Sequence, residues 1–286
     1  MKMKTKFIKS PLNYTGGKYK LLSQIVPLFP NDINTFVDLF AGGCNVCVNI
    51  SSKRVIASDC DQSVIDIFKA FQNTPTNELI QYIEATIEKY GLSITDQEAY
   101  NRFRNDYNNG ERNPLDLFIL ICYSFNHQIR FNRKGEFNMP FGKDRSQWNK
   151  NIKKNLIEFK ESIKDIVFIC KDFVDLKVEK LKPDDFVYCD PPYLITCATY
   201  NEKNAWTEKE EKELLALLDK LNEKGIKFAL SNVMENKGQE NTILKEWSQK
   251  YTVHHLSNTY SNCNYHAKDK DKNNTDEVLI VNYGDI

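Results

Sequence analysis

The chain has 286 residues, which suits one large α/β domain or a core domain with a sizeable insertion. With 41% hydrophobic and 27% charged residues, no run nears the roughly 18 apolar residues of a membrane helix, and the basic start MKMKTKFIKS lacks an apolar leader core. Secreted and membrane-spanning classes are set aside on these grounds, and a cytoplasmic protein is expected. The formal net charge is zero, which argues against a uniformly basic nucleic-acid binder. The charge is unevenly spread, however. Residues 1–20 hold six lysines and no acid, and residues 127–154 hold eight Lys/Arg against Glu136 and Asp144. Such basic stretches on a neutral chain suit a phosphate-facing footprint, with plain solvated charge as the alternative.

In chain order, TFVDLF (35–40) reads as a short apolar strand running into Ala41-Gly42-Gly43. Residues 45–51 are expected to be helical, and RVIAS (54–58) is a second strand closed by Asp59. SVIDIFKAFQ has apolar residues at helical spacing. Strand, glycine loop, strand and acid together open a nucleotide-binding α/β unit. Residues 75–125 read as helices, one ending at Gly91, another near 95–107 and a third opened by Pro114. The segment IRFNRKGEFNMPFG (129–142) has a central glycine and alternating aromatics, which predicts a β-hairpin with an irregular arm. A polar helix over 147–164 follows. IVFIC and DFVYCD are strands, EKEEKELLALLDKLNEKG is an amphipathic helix, and IKFALS, YTVHHLS and EVLIVNY are further strands. The polar stretch 257–276 reads as a mobile loop. The expected organisation is therefore a catalytic α/β domain, residues 1–60 and 166–286, with an inserted module at 61–165.

The glycine loop lets the backbone approach a ligand without a Cβ clash, and Asp59 at the next strand end can accept from two ribose hydroxyls. Taken alone, the pattern fits nucleotide cofactors generally. Cys44 and Asn45 stand where a dinucleotide fingerprint has later glycines, which counts against NAD. Cys44 and Cys47 form a C-x-x-C with no second pair at metal spacing, so they read as packing and no metal is expected. The other cysteines (60, 122, 170, 189, 197 and 263) are scattered, several in apolar runs, as for buried thiols in a reducing compartment.

The sharpest signal is Asp190-Pro191-Pro192-Tyr193, directly after a strand. Ligands of open α/β sheets bind beyond the carboxyl ends of strands. The prolines fix φ and offer carbonyl acceptors but no N–H donors. This arrangement suits alkylation of an amine on an aromatic ring. The lone pair of such an amine is delocalised, so the nitrogen is a poor nucleophile. Asp190 and the Pro191 carbonyl can accept both N–H hydrogens and turn the lone pair toward a methyl donor, while Tyr193 stacks on the base. Catalysis would be positioning and electrostatics, with no metal needed. A target base inside a duplex would have to be flipped out.

These motifs, in this order, resemble those of the DNA adenine methylase (Dam) family of N6-adenine DNA methyltransferases. Leu12 to Tyr19, with Gly16-Gly17-Lys18, resembles the family's N-terminal motif. Phe36 to Gly43 resembles its glycine loop, Ser58-Asp59 its acidic strand end, Asn126 to Gly142 its DNA-recognition hairpin, and DFVYCDPPY its catalytic loop. The resemblance implies a class I S-adenosylmethionine-dependent methyltransferase fold, Rossmann-like, with an inserted, mainly helical DNA-recognition domain bearing a β-hairpin. It implies S-adenosyl-L-methionine as methyl donor, S-adenosyl-L-homocysteine as product and double-stranded DNA as partner. Tyr14, Lys18, Phe40, Gly42, Asp59 and Asp190 would surround the cofactor. Asp172 and Phe173 match the position that receives its adenine.

For DNA, the resemblance points to Asn13, Asn126, Arg130, Asn132, Arg133, Lys134, Asn138, Pro140, Lys143 and Arg145. Arg130 would read a base edge or clamp a phosphate. Lys134 and Arg145 would take phosphates, with solvated charge as the alternative. Departures occur at AGGCN, where many relatives carry another glycine or alanine, at Asn13, and at Lys143-Asp144 after the PFG turn. GATC is therefore not carried over as the recognition site. The favoured setting is host protection beside a restriction endonuclease, by a monomer, with a phage or orphan enzyme as alternatives. Two rivals stay open: a methyltransferase acting on RNA or protein glutamine, and an inactive DNA-binding regulator on the same scaffold.

Overall fold

The computed structural model describes residues 6–196, 206–257 and 275–284. Its centre is one sheet. The strands are β1 (Thr35–Asp38), β2 (Arg54–Asp59), β3 (Ile166–Cys170), β4 (Phe186–Cys189), β5 (Lys227–Asn236), β6 (Gln239–Glu240), β7 (Thr252–Leu256) and β8 (Thr275–Val281). They lie in the order β3-β2-β1-β4-β5-β8-β7, with the short β6 paired to β5. From β3 to β5 every pairing is parallel, while β8 runs antiparallel to both β5 and β7. The chain order reverses between β1 and β4, and at such a switch point the loops diverge and leave a crevice beyond the strands' carboxyl ends.

Alternation along the strands divides the core between two faces. Phe36, Phe186, Tyr188, Ala229, Leu279 and Val281 point to one side. Val37, Val187, Cys189, Phe228, Leu230, Val278 and Ile280 point to the other. Strands covered on both faces read as continuous apolar runs, as FVYC and VLIV do. The second face is covered by α7 (Glu208–Glu223), whose Leu214, Leu215, Leu218 and Leu221 recur at helical spacing, and by α8 (Thr242–Ser248). Thr207 and Glu210 cap α7 reciprocally.

The first face carries α1 (Leu22–Ile25), α2 (Gln62–Asn73), α3 (Thr76–Tyr90), α4 (Gln97–Asn109), α5 (Pro114–Tyr123) and α6 (Lys150–Ser162). Helix α2 packs on β2 and β3 as well as on α5, so the helical middle of the chain shares one core with the sheet. Gly91 ends α3 in the left-handed region at φ 66°, and Pro114 opens α5 beneath an Asn113 cap. Helix α5 is buried at every residue from Leu115 to Tyr123 except Asp116, which is why PLDLFILICY has no polar face.

Residues 45–51 depart from expectation. They make turns and a single 3-10 turn, Cys47–Asn49, where a helix was expected. Asn45 and Asn49 explain this. Their side chains bond the N-terminal arm, Asn45 accepting from the Ser10 amide at 3.0 Å and Asn49 bonding both polar backbone groups of Ile8 at 2.8 Å. Segment 129–142 folds back on itself as expected, through isolated antiparallel bridges at Phe131–Phe137 and Ser124–Phe141 without a continuous ladder. Most of the polar stretch 257–276, together with Cys197 and Cys263, lies outside the described residues. Among the described residues no helix is long and apolar enough to cross a membrane.

Candidate functional site

Three strand ends meet at the switch point. The loop after β1 carries Phe40 to Gly43, β2 ends in Asp59, and β4 runs into Asp190. The Gly42 amide donates to Asp59 Oδ2 at 2.8 Å, and the Asp61 amide donates to Oδ1 at 2.9 Å. Asp59 thus ties the glycine loop to β2. Burial lifts its carboxyl above the ordinary range, against the pull of the Asp61 and Gly42 amides. Gly42 has φ +45°, and a Cβ there would stand 2.9 Å from the Tyr14 ring. The ring therefore lies flush on the loop because no side chain intervenes. Burial, followed by the Asp59 charge, raises the Tyr14 hydroxyl far above its usual range. Cys44 also sits in the left-handed region, φ 57°, at the position where the sequence departs from a glycine-rich loop.

Asp190 anchors a second cluster. Lys18 Nζ lies 2.8 Å from Asp190 Oδ1, and the Tyr193 hydroxyl donates to the same oxygen at 3.0 Å. Lys18 also donates to the Gly16 carbonyl at 2.9 Å and stands 4.9 Å from the Tyr193 ring centroid. Burial raises the Asp190 carboxyl above its usual range. Lys18 and the Tyr193 hydroxyl pull it down, and Glu277 pushes it up. Burial and then the Asp190 charge lift the Tyr193 hydroxyl well above normal. Pro191 is buried and Pro192 exposed.

Two further acids were not singled out in the sequence. Glu277 on β8 is 6% exposed and reaches Lys18 Nζ at 3.5 Å. Asp38, the last residue of β1, is 1% exposed, and its Oδ1 has no hydrogen-bond partner among the described residues. Burial, then Asp190 and Asp59, drive its carboxyl well above the normal range. A lone acid inside the apolar run TFVDLF was a legible signal for Asp38. Glu277 opens another apolar run and was legible in the same way.

Phe173 packs against Phe40 at 5.5 Å between centroids, and Trp206 lies on both rings at 5.6–5.7 Å. Trp206 is fixed by an Nε1 bond of 2.6 Å to Glu211, a fully buried acid that also accepts from Asn232 and Asn241. Asp172 caps the turn below Phe173 by accepting from the Val174 amide at 3.1 Å. Phe40, Asp172 and Phe173 thus form one cluster, Tyr14, Gly42 and Asp59 a second, and Lys18, Asp190, Tyr193 and Glu277 a third.

The residues expected to meet DNA divide into two groups. Asn13, Asn126 and Arg145 line a cleft of about 660 Å³ that also reaches Lys18, Tyr193 and Glu277. Asn13 donates to the Asn126 carbonyl at 3.1 Å, joining the N-terminal arm to a corner where Asn126 and His127 both have positive φ, 55° and 53°. Arg145 lies 5.0 Å from the ring centroid of Phe125, an exposed aromatic. Arg130, Asn132, Arg133, Lys134, Asn138, Pro140 and Lys143 do not line this cleft. Arg130 instead spans the hairpin, its Nε donating to Asn138 Oδ1 and its Nη2 to the Asn138 carbonyl, both at 2.9 Å. Asn132 closes the tip, donating to Glu136 Oε2 and accepting from the Lys134 and Glu136 amides. The Pro140 carbonyl accepts from the Phe125 amide at 2.8 Å, joining the hairpin's end to the corner.

Comparison with known proteins bears on this arrangement directly. A family model for D12 class N6 adenine-specific DNA methyltransferases matches residues 14–262, from the Tyr14 that lies on the glycine loop to beyond β7. The chain belongs to that family. Within it, the chain is 49% identical over 283 residues to the type II methyltransferase M.FokI of Planomicrobium okeanokoites, covering 97% of this chain and 43% of that protein. It is 45% identical over 286 residues to the modification methylase StsI of Streptococcus sanguinis, again covering 97% of this chain and 43% of the relative. This D12 family chain therefore spans less than half the length of both relatives. The DNA adenine methylase of Escherichia coli (strain K12) is 27% identical over 250 residues, covering 85% of each chain.

Proposed function

We propose that this D12 family protein transfers a methyl group from S-adenosyl-L-methionine to the N6 amine of an adenine extruded from duplex DNA, leaving S-adenosyl-L-homocysteine. One observation carries the reading. At the switch point, Lys18 and Tyr193 both approach Asp190 Oδ1, while no described residue donates to its second oxygen. That oxygen and the Pro191 carbonyl can accept the two hydrogens of an aromatic amine and turn its lone pair out of the ring plane.

The residues present suit the cofactor. Gly42 lets the Tyr14 ring close on the glycine loop, Asp190 and Glu277 flank the Lys18 ammonium, and Asp38 lies between the charges of Asp190 and Asp59, so buried carboxylates gather where a cationic cofactor would sit. Phe40 and Phe173 would hold the adenine ring, Asp172 its amine, Asp59 the ribose hydroxyls, and Tyr14 and Lys18 the end nearest Asp190. Bound there, the cofactor supplies an electrophilic methyl on a sulfonium. The protein's part is to aim the amine and exclude water, so most of the barrier reduction comes from orientation and fixed charge.

Residues 61–165 would form the DNA target-recognition module on the catalytic domain of residues 1–60 and 166–286. Asn13, Asn126 and Arg145 would lie beside the extruded base. Arg130, Asn132, Arg133, Lys134, Asn138, Pro140 and Lys143 would lie along the neighbouring duplex. Relatives named as modification methylases support a role beside a restriction endonuclease, in the compartment that holds the DNA.

The test is incubation with tritiated S-adenosylmethionine and plasmid DNA, followed by nucleoside analysis. Label is expected on N6-methyladenine, and label found only on RNA or protein would overturn the assignment. Asp190→Ala is expected to abolish turnover, by about a thousandfold or more, with an unchanged far-ultraviolet spectrum. Turnover within about tenfold of wild type would remove Asp190 from its assigned role.

A further inference from the structure

Beyond adding negative charge beside Lys18, Glu277 has no task in the reaction so far. It lies on an antiparallel strand two places from β4 in the sheet, and Val278, Leu279, Ile280 and Val281 after it are all buried apolar residues. A carboxylate in such a strand is costly to bury unless it is paired, and an apolar side chain would serve packing better. Glu277 Oε1 accepts from the Tyr193 hydroxyl at 3.2 Å and lies 3.5 Å from Lys18 Nζ. Asp190 Oδ1 faces the same two donors, at 3.0 and 2.8 Å. The same hydroxyl and the same ammonium therefore face both carboxylates. A hydroxyl has a single hydrogen to donate, so Tyr193 cannot satisfy both at once.

We propose that Glu277 is a positioning residue for the methyl transfer: it shares Lys18 and the Tyr193 hydroxyl with Asp190, which keeps the Asp190 carboxylate a strong acceptor for the substrate amine. This rests on the reading of Asp190 given above. Without the Glu277 charge, both donors commit to Asp190, which then has less electron density to offer an incoming N–H. The Lys18 ammonium also loses one of the two anions that centre it over the Tyr193 ring, so the ring face shifts with it.

The same sharing fixes a pH signature. The groups facing Asp190 are Lys18 from the N-terminal arm, Asp38 from β1, Tyr188 and Cys189 from β4, Tyr193 from its own loop and Glu277 from β8. Among them Glu277 holds the Asp190 carboxyl up, while Lys18 and Tyr193 hold it down. Removing the Glu277 charge therefore lets Asp190 ionise at lower pH, and the acid limb of the rate profile moves the same way.

The experiment uses the full chain, tritiated S-adenosylmethionine and plasmid DNA, with kcat and KM measured across pH for wild type and Glu277→Gln. The expected result is a kcat lower by about tenfold or more, KM values within about threefold, and an acid limb displaced to lower pH. S-adenosylhomocysteine binding, read by calorimetry, should stay within about threefold of wild type, and Glu277→Asp should recover most of kcat. Should the Gln variant fail to fold, Glu277→Met, apolar and similar in size, is read in its place with the same expected drop and shift. Unchanged kcat with an unmoved acid limb overturns the role of Glu277, as does a rise in KM alone. A wild-type protein that never labels DNA adenine overturns instead the reading on which the role rests.

Discussion

At the scale of single residues, the site is short of positive charge. Asp190 and Glu277 share Lys18, Asp38 feels the charges of Asp190 and Asp59, and Asp38 Oδ1 is buried with no hydrogen-bond partner among the described residues. Its raised carboxyl means that the folded state binds this proton more tightly than the unfolded chain. Stability from that proton is fully present below the ordinary carboxylate value, about pH 4, and is lost as pH rises through the raised one. Asp38→Asn carries no charge to bury. It should therefore unfold at a higher temperature than wild type at neutral pH, a gain of about 1–3 kcal/mol that shrinks on acidification. Thermal unfolding between pH 4 and 8 checks this, and a difference independent of pH would rule the explanation out. Asp190 and Tyr193 were legible as residues because Asp-Pro-Pro-Tyr after an apolar strand has few other physical uses. Their sharing of donors with Glu277, 84 positions from Tyr193, was not legible.

At the scale of elements, periodicity located most strands and helices within a few residues. Residues 45–51 failed because the side chains of Asn45 and Asn49 bond a distant arm, a tertiary choice that local propensity does not encode. The hairpin shows the same division. Its turn chemistry was readable, but the commitment of the Arg130 guanidinium to Asn138 was not. Arg130 retains donors beyond those two bonds and lies on an exposed edge. Arg130→Ala is expected to weaken duplex DNA binding by about tenfold, the scale of one bidentate contact, and to leave cofactor affinity within twofold. Gel-shift titration and calorimetry separate the two effects, and unchanged DNA affinity would confine Arg130 to bracing the hairpin.

At the scale of the whole molecule, zero net charge conceals two basic stretches, and association with DNA should follow the local charge. The logarithm of the DNA association constant is expected to fall linearly with that of salt concentration. Lys134→Ala and Arg145→Ala should each flatten the slope by about one unit without altering sequence preference. A slope indifferent to both substitutions would return these side chains to plain solvation. The helical middle of the chain shares its core with one face of the sheet, so the two are built as one packed unit.

The chain by itself determined what depends on neighbours in sequence. Short apolar runs set the strands, helical spacing set α2, α3 and α7, Pro114 marked the start of α5, and local chemistry marked the glycine loop and the Asp-Pro-Pro-Tyr turn. Only the tertiary structure decided what depends on charges brought together from distant elements. These are the tie from Asp59 to Gly42, the seat of Tyr14 on a loop without side chains, and the pairing of Lys18 with two acids from different strands. The reason is physical: a short-range pattern reports whether a residue is buried, whereas the energy of a buried charge depends on which other charges fold against it.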